Sequence, residues 1–194
     1  MSERSLPERY SAIAVTLHWL VAIAIIYNLW QGLAFDDLEA QHPDQLRAAV
    51  DLHKSIGITV IGLVVLRVLW KLGNPAPAPL ASLKPWERKL SISTHHVLYL
   101  LMILVPLAGW LHDSAWKAAA SHPLVLYGQI PWFRLPFFGG LDDAGKDHWH
   151  KIFGATHALS SKVLIGVLLL HLAGALKHQF IDRQPQFRRM WFGN

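Results

Sequence analysis

The chain has 194 residues, 53% hydrophobic and 16% charged, with a positive mean hydropathy, a balance too apolar for a soluble domain of this length. It has no cysteine, which excludes disulfides, thiolate ligands, iron–sulfur clusters and the C-x-x-C-H attachment of c-type haem. The net charge of +5 is gathered in short segments beside apolar stretches, so it reads as a topology signal, and no nucleic-acid partner is expected.

The apolar stretches predict an all-α membrane protein, one domain over 1–194 built as a four-transmembrane-helix bundle, with spans at about 11–35, 52–72, 95–112 and 155–179. Each stretch, with its flanks, approaches the roughly 20 residues needed to cross about 30 Å of hydrocarbon. The first contains Trp19, Tyr27 and Trp30 and carries His18 in "VTLHWLV", so it reads as a permanent span rather than a cleavable signal. An acidic 36–51 loop follows, with His42 in it. The second span opens on "DLHKSIG", with His53 and Lys54 at its edge and Arg67 fourteen residues after His53.

"GNPAPAPLASLKP" at 73–85 cannot continue a helix and is a linker. The third span starts at His95 and His96, and Pro106 with Gly109 should bend it near its outer end. The 112–150 segment is rich in aromatics, Pro and Gly, and its apolar pieces are too short to span, so it is expected to cap the outer surface. His42, His112 and His122 read as solvated loop residues. His148 and His150 in "DHWH" stand at i,i+2, positions that point apart on a helix. The fourth span carries His157 in "GATHALS", His171 in "LLLHLAG" and, two turns on, His178.

Lys and Arg near helix ends stay on the cytoplasmic side. Arg4 and Arg9, then Lys71, Lys84, Arg88 and Lys89, then Lys177, Arg183, Arg188 and Arg189 therefore put both termini and the 73–94 loop inside. With that orientation His18 lies in the inner leaflet, while His53 and His157 lie in the outer one. His171 follows His157 by fourteen residues, about 21 Å of rise and close to four turns, so it returns to the same face at the depth of His18.

Two levels with two imidazoles each are what two stacked six-coordinate b-type haems require: His18 with His171 at the inner level and His53 with His157 at the outer. Arg67, costly in lipid unless paired, would meet a haem propionate. Gly57, Gly62, Gly154, Gly166 and Gly174 would let a flat macrocycle approach the backbone. A single membrane histidine is as often a packing residue or interfacial anchor; four at matched depths are harder to explain that way.

"LHWL", "HKSIGI", "VVLRVLWKLGNPAP", "HHVLYLLMILVPLAGW" and "TH" to "LLLHLAGALKHQF" together resemble the bacterial cytochrome b561 family, in particular its four-helix di-haem members, which include a superoxide:ubiquinone oxidoreductase. The resemblance covers nearly the whole chain. It implies a multi-pass protein of the bacterial inner membrane, haem ligands at His18, His53, His157 and His171, and a cytoplasmic quinone pocket near His178 or His96. The 112–150 segment departs from the superoxide-oxidising members in being longer and more apolar.

The expectation is transmembrane electron transfer through two haem b groups, with superoxide oxidised at the periplasmic face and ubiquinone reduced at the cytoplasmic face. Lys54 and Lys151, with Arg134 and Lys146, would form a cationic funnel for the anion, and Asp142, Asp143 and Asp147 stand where they would cancel it. Two alternatives stay open. One is a di-haem carrier subunit for a separate dehydrogenase or soluble cytochrome, docking that periplasmic partner on the cap; the other is a non-redox proton or metal transporter. The expected partners are membrane lipid and a quinone.

Overall fold

A computed structural model of the chain describes residues 9–78 and 83–192. Arg4 and residues 79–82 of the linker, which entered the topology reading, lie outside the described residues.

Among the described residues four helices are long and apolar enough to cross a membrane. Helix α1 (Ala12–Leu33) is started by Ser11, whose Oγ accepts the Ala14 N–H at 3.3 Å. The short α2 (Phe35–Gln41) carries Asp36 and Asp37 in its first turn, where the helix dipole favours anions. Helix α3 (Pro43–Gly73) begins with Pro at its first position and Asp44 behind it. Helix α4 (Pro85–Ser114) runs through Pro106, and α5 (Asp143–Leu176) is capped by Asp142 Oδ1, which accepts the Gly145 N–H at 2.8 Å. A π turn (Lys177–Ile181) and a last turn, α6 (Gln186–Arg189), close the chain.

The spans are apolar on every side because lipid, unlike water, does not reward a polar outer face. Ile23, Ile26, Leu66, Leu69, Leu100 and Leu169 point outward, and the buried cluster is small: Val21 and Ile25, Val60 and Val64, Leu98, Leu101, Met102 and Val105, and Leu164. Along α1, α3 and α5 this cluster lies between the two histidine levels. Helix α4 packs chiefly on α5, and α3 bridges α1 and α4.

One end of the bundle gathers the start of α1, the linker and the C-terminal segment. Trp19 Nε1 donates to Met190 O at 2.8 Å, Arg189 donates to Ala78 O at 2.6 Å, and Trp70 Nε1 donates to Ser11 Oγ at 3.0 Å. At the other end a hairpin of β1 (Val125–Leu126) and β2 (Ile130–Pro131) is pinned to α3. Its turn residue Tyr127 sits at φ 53, and its N–H donates to Ser55 Oγ at 2.9 Å while its hydroxyl lies 2.6 Å from Thr59 Oγ1. These bonds hold a left-handed conformation that a Tyr seldom adopts.

The spans are longer than the hydropathy pattern indicated. Helix α3 starts at Pro43 rather than near 52, α4 at Pro85 rather than 95, and α5 at Asp143 rather than 155. The added turns carry charges, as helix does where it leaves hydrocarbon, and so lack an apolar signature. In consequence the acidic 36–51 stretch is mostly helix, and the irregular cap is confined to residues 115–142. His112 is a half-buried residue of α4 and not a solvated loop residue, and His148, His150 and Lys151 stand on α5.

Candidate cofactor sites at two levels of the bundle

The level near the hairpin joins His53 of α3 to His157 of α5, ring centroids 6.0 Å apart and planes at 82°. Each ring is oriented by its surroundings. His157 Nδ1 donates to Val105 O at 2.8 Å, in the turn where Pro106 interrupts the backbone ladder of α4. His53 packs edge-on against Phe35 at 5.2 Å, and its carbonyl accepts from Asn28 Nδ2 at 3.2 Å. Two glycines make room: a Cβ on Gly109 would lie 3.1 Å from His157 Cε1, and one on Gly32 would lie 3.3 Å from His53 Cε1.

The level toward the termini joins His18 of α1 to His171 of α5, centroids 6.4 Å apart at 62°. It opens on a cavity lined also by Arg67, His95, Tyr99, Leu98 and Met102. Arg67 Nε donates to the Tyr99 hydroxyl at 3.1 Å, and Lys71 Nζ lies 4.9 Å from the centre of the Tyr99 ring. Among the described residues no carboxylate pairs with Arg67 or Lys71. His95 Nδ1 donates to Ser91 O at 2.6 Å and its ring stands edge-on to His171 at 5.2 Å. His96, one residue on, is exposed like His95, with Nδ1 on Ile92 O at 2.9 Å, and has no ring contact with His18 or His171 among the described residues. The ring that faces the inner level is therefore that of His95.

These residues fit haem. A metal–imidazole bond of about 2.0 Å on each face of one iron, plus about 1.1 Å from nitrogen to ring centre, places two axial rings about 6 Å apart. Both pairs stand close to that separation. The Nδ1 atoms of His18 and His53, Asn28 Oδ1 and Gln31 Oε1 are buried with no hydrogen-bond partner among the described residues, a cost that a bound polar group would relieve. Two cations inside a membrane bundle without an acid suit propionates. Of the glycines expected to admit a macrocycle, Gly62, Gly166 and Gly174 face open space, whereas Gly154 makes room for the His112 ring and Gly57 for Asn28 and Pro106.

Beyond the outer level Asp113, 7% exposed, binds Lys54 Nζ at 2.7 Å and Arg134 Nε at 2.8 Å, so the Lys54 charge is shared with a buried carboxylate. Lys151 is exposed on α5, and Asp147 pairs with Lys117 at 3.3 Å. Beyond the inner level His178 Nδ1 bonds Asp182 Oδ2 at 2.6 Å. Sequence reasoning passed over Asp113, His95, Asp182 and the contact between His112 and His150. An acid directly after the apolar run "LAGWLH" marked the first, and the i, i+3, i+4, i+7 row of His95, Leu98, Tyr99 and Met102 marked the second.

The family model for prokaryotic cytochrome b561 matches residues 9–193. Cytochrome b561 homolog 2 of Escherichia coli (strain K12) is 35% identical over 191 residues, covering 98% of this chain and 95% of that protein. Similarity extends to a probable superoxide oxidase CybB of Yersinia pestis, 26% identical over 94% of this chain and 96% of that one. A cytochrome b562 of Cereibacter sphaeroides is 23% identical over 93% of this chain and 94% of its own length.

Proposed function

The chain belongs to the prokaryotic cytochrome b561 family, and from that premise we propose that it takes electrons from superoxide at the outer face and delivers them to ubiquinone at the cytoplasmic face. Membership brings b-type haem, transmembrane electron transfer and a multi-pass place in the bacterial inner membrane. The finer reading is of two haems, one held by His18 and His171 and one by His53 and His157. The observation that carries it is the pair of ring separations, 6.4 and 6.0 Å, at opposite ends of the buried cluster.

Haem supplies a one-electron couple at each level. The chain's own residues bind, orient and insulate it. Val105 O fixes which nitrogen of His157 bears the proton and leaves the other as ligand. Arg67 and Lys71 offer charge to propionates, and the apolar layer between the levels keeps water out. With the basic segments inside, the termini and linker are cytoplasmic. Lys54 and Lys151 then present positive charge to an approaching anion, and His178 presents a proton to the quinone; His96, exposed near the same end, is the second candidate there.

Superoxide as donor is supported by one relative's name, and it has a rival. The cap exposes Tyr127, Ile130, Phe133 and Phe137 beside the outer level, a surface suited to a dehydrogenase or soluble cytochrome docking on a carrier subunit. Family membership favours both over the non-redox transporter. The test is to quantify haem in the purified chain and to feed it superoxide with ubiquinone and no other subunit. Two haems per chain and ubiquinol formation are expected. One haem per chain overturns the two-level reading, and quinone reduction no faster than without protein promotes the carrier.

A further inference from the structure

We propose that Asp182 is a positioning residue for proton delivery to the quinone: its carboxylate holds the Nδ1–H of His178, so that the proton given to substrate leaves from Nε2. The inference rests on the quinone reading of the inner end.

The local backbone is unusual. Helix α5 passes at Lys177 into a π turn, closed by Asp182 N–H donating to Lys177 O at 3.0 Å. Asp182 Oδ2 accepts from both Lys177 Nζ at 2.7 Å and His178 Nδ1 at 2.6 Å. In an α-helix residues five apart lie about 140° from one another around the axis, at about 100° per residue, so one carboxylate would not meet both side chains. The wider turn brings them together. Arg183 then stands at φ 53, in the left-handed region a non-glycine residue seldom occupies, and Gln184 N–H donates to His178 O at 2.8 Å. A π turn and a strained residue thus flank one imidazole, and both features concentrate at functional sites.

Charge supports the same role. Lys177 reaches across to Glu87 Oε1 at 2.9 Å, and Glu87 Oε2 accepts the Lys84 N–H at 3.0 Å, fastening the π turn to the first turn of α4. Glu87 and Lys177 cancel, which leaves the single negative charge of Asp182 to be balanced when His178 is protonated. Lys177 first, and then His178, hold the Asp182 carboxyl below the usual carboxylate range. The other charges at this end include Arg9, Lys71, Lys84, Arg88 and Lys89, and, on the C-terminal segment, Arg183 and the α6 residues Arg188 and Arg189, the last bonded to Ala78 O.

Reducing a quinone to a quinol consumes two electrons and two protons. With each electron supplied by the reduced protein, His178 gives its Nε2 proton to a quinone oxygen and takes a replacement from cytoplasmic water at the same atom. Asp182 keeps the Nδ1 proton throughout, so the tautomer does not flip. The His178 side chain is 13% exposed and that of Asp182 27%, so water reaches the dyad.

The test uses the full-length, haem-loaded protein, reduced beforehand and mixed with a short-chain ubiquinone. Asp182→Asn should lower kcat about tenfold at pH 8, the scale of losing a partner that orients an imidazole, and by less at pH 6, with KM and haem spectra unchanged. Asp182→Glu should restore most of the rate. A rise in KM alone, or an equal loss at both pH values, overturns the proposal. Imidazole 15N signals, with His178 assigned by comparison with His178→Asn, decide the geometry separately. At alkaline pH the native protein should show a protonated Nδ1 that Asp182→Asn loses, and an Nε2–H tautomer in the native protein overturns the proposal. If the native protein does not reduce ubiquinone while that tautomer stands, the quinone reading fails and the dyad serves another proton acceptor.

Discussion

The rings of His112 and His150 stack with centroids 3.7 Å apart and planes at 21°, and each Nδ1–H donates to the other residue's backbone carbonyl at 2.8 Å. This reciprocal clamp joins the outer end of α4 to α5, seven residues before His157. His150→Ala removes one donor and the stack, and should cost about 1–2 kcal/mol. Gly154→Ala should cost a similar amount, because its Cβ would come within 2.9 Å of His112 Cε1 and 3.0 Å of Nδ1. For a chain of this size each change should lower the thermal midpoint by about 2–8 °C. Midpoints unchanged in both variants would show that the clamp does not hold the helices.

Replacement of one axial imidazole should disturb one haem and spare the other. His18→Ala or His171→Ala should remove, or convert to high spin, only the inner haem; His53→Ala or His157→Ala should do so only to the outer. Optical and paramagnetic resonance spectra read this directly. If His18→Ala and His157→Ala disturbed the same haem while His171→Ala left it intact, the assignment by depth would fail.

Gly109 tests the outer level without touching a ligand. Its Cβ position lies 3.1 Å from both Cε1 and Nδ1 of His157, so Gly109→Ala must push the ring or α4 by a few tenths of an ångström. The Nδ1 bond to Val105 O should weaken with it. The expected result is a shifted or partly high-spin outer haem with the inner haem unaltered. Identical spectra would mean that the bundle yields at no cost there.

The spans and the fourteen-residue interval were legible because hydrocarbon demands long apolar runs and because helical rise turns sequence distance into depth. Helix ends were not. The Pro43 start and the Asp142 cap lie among charged residues, where no apolar period marks the helix. At "HH" residue type alone did not separate His95 from His96; the phase of Leu98, Tyr99 and Met102, which the sequence reading left unused, puts His95 beside His171. Cross-helix contacts were out of reach. The i,i+2 argument set His148 against His150, whereas the ring that meets His150 comes from α4, and Asp182 reaches both Lys177 and His178 only through a π turn.

Asp113 makes the superoxide reading sensitive to sign. Its buried carboxylate holds Lys54 and Arg134, so the trio carries a single net positive charge beside His53. If that charge draws in an anion, Lys54→Gln with Lys151→Gln should lower the second-order rate with superoxide several-fold and flatten its fall with salt, at unchanged haem content. Asp113→Asn works the other way. It leaves Arg134 without its acid and Lys54 with only the more exposed Asp51, at 3.7 Å, and should raise the rate at low ionic strength, while lowering stability by about 1–3 kcal/mol because the buried pairs are broken. A carrier that needs a docked donor would respond to neither change in this manner: superoxide would reduce it slowly and without salt dependence. Opposite shifts in the two variants, both erased by high salt, are what steering requires; shifts of the same sign would show that the residues act through structure, and the docked-donor reading would take its place.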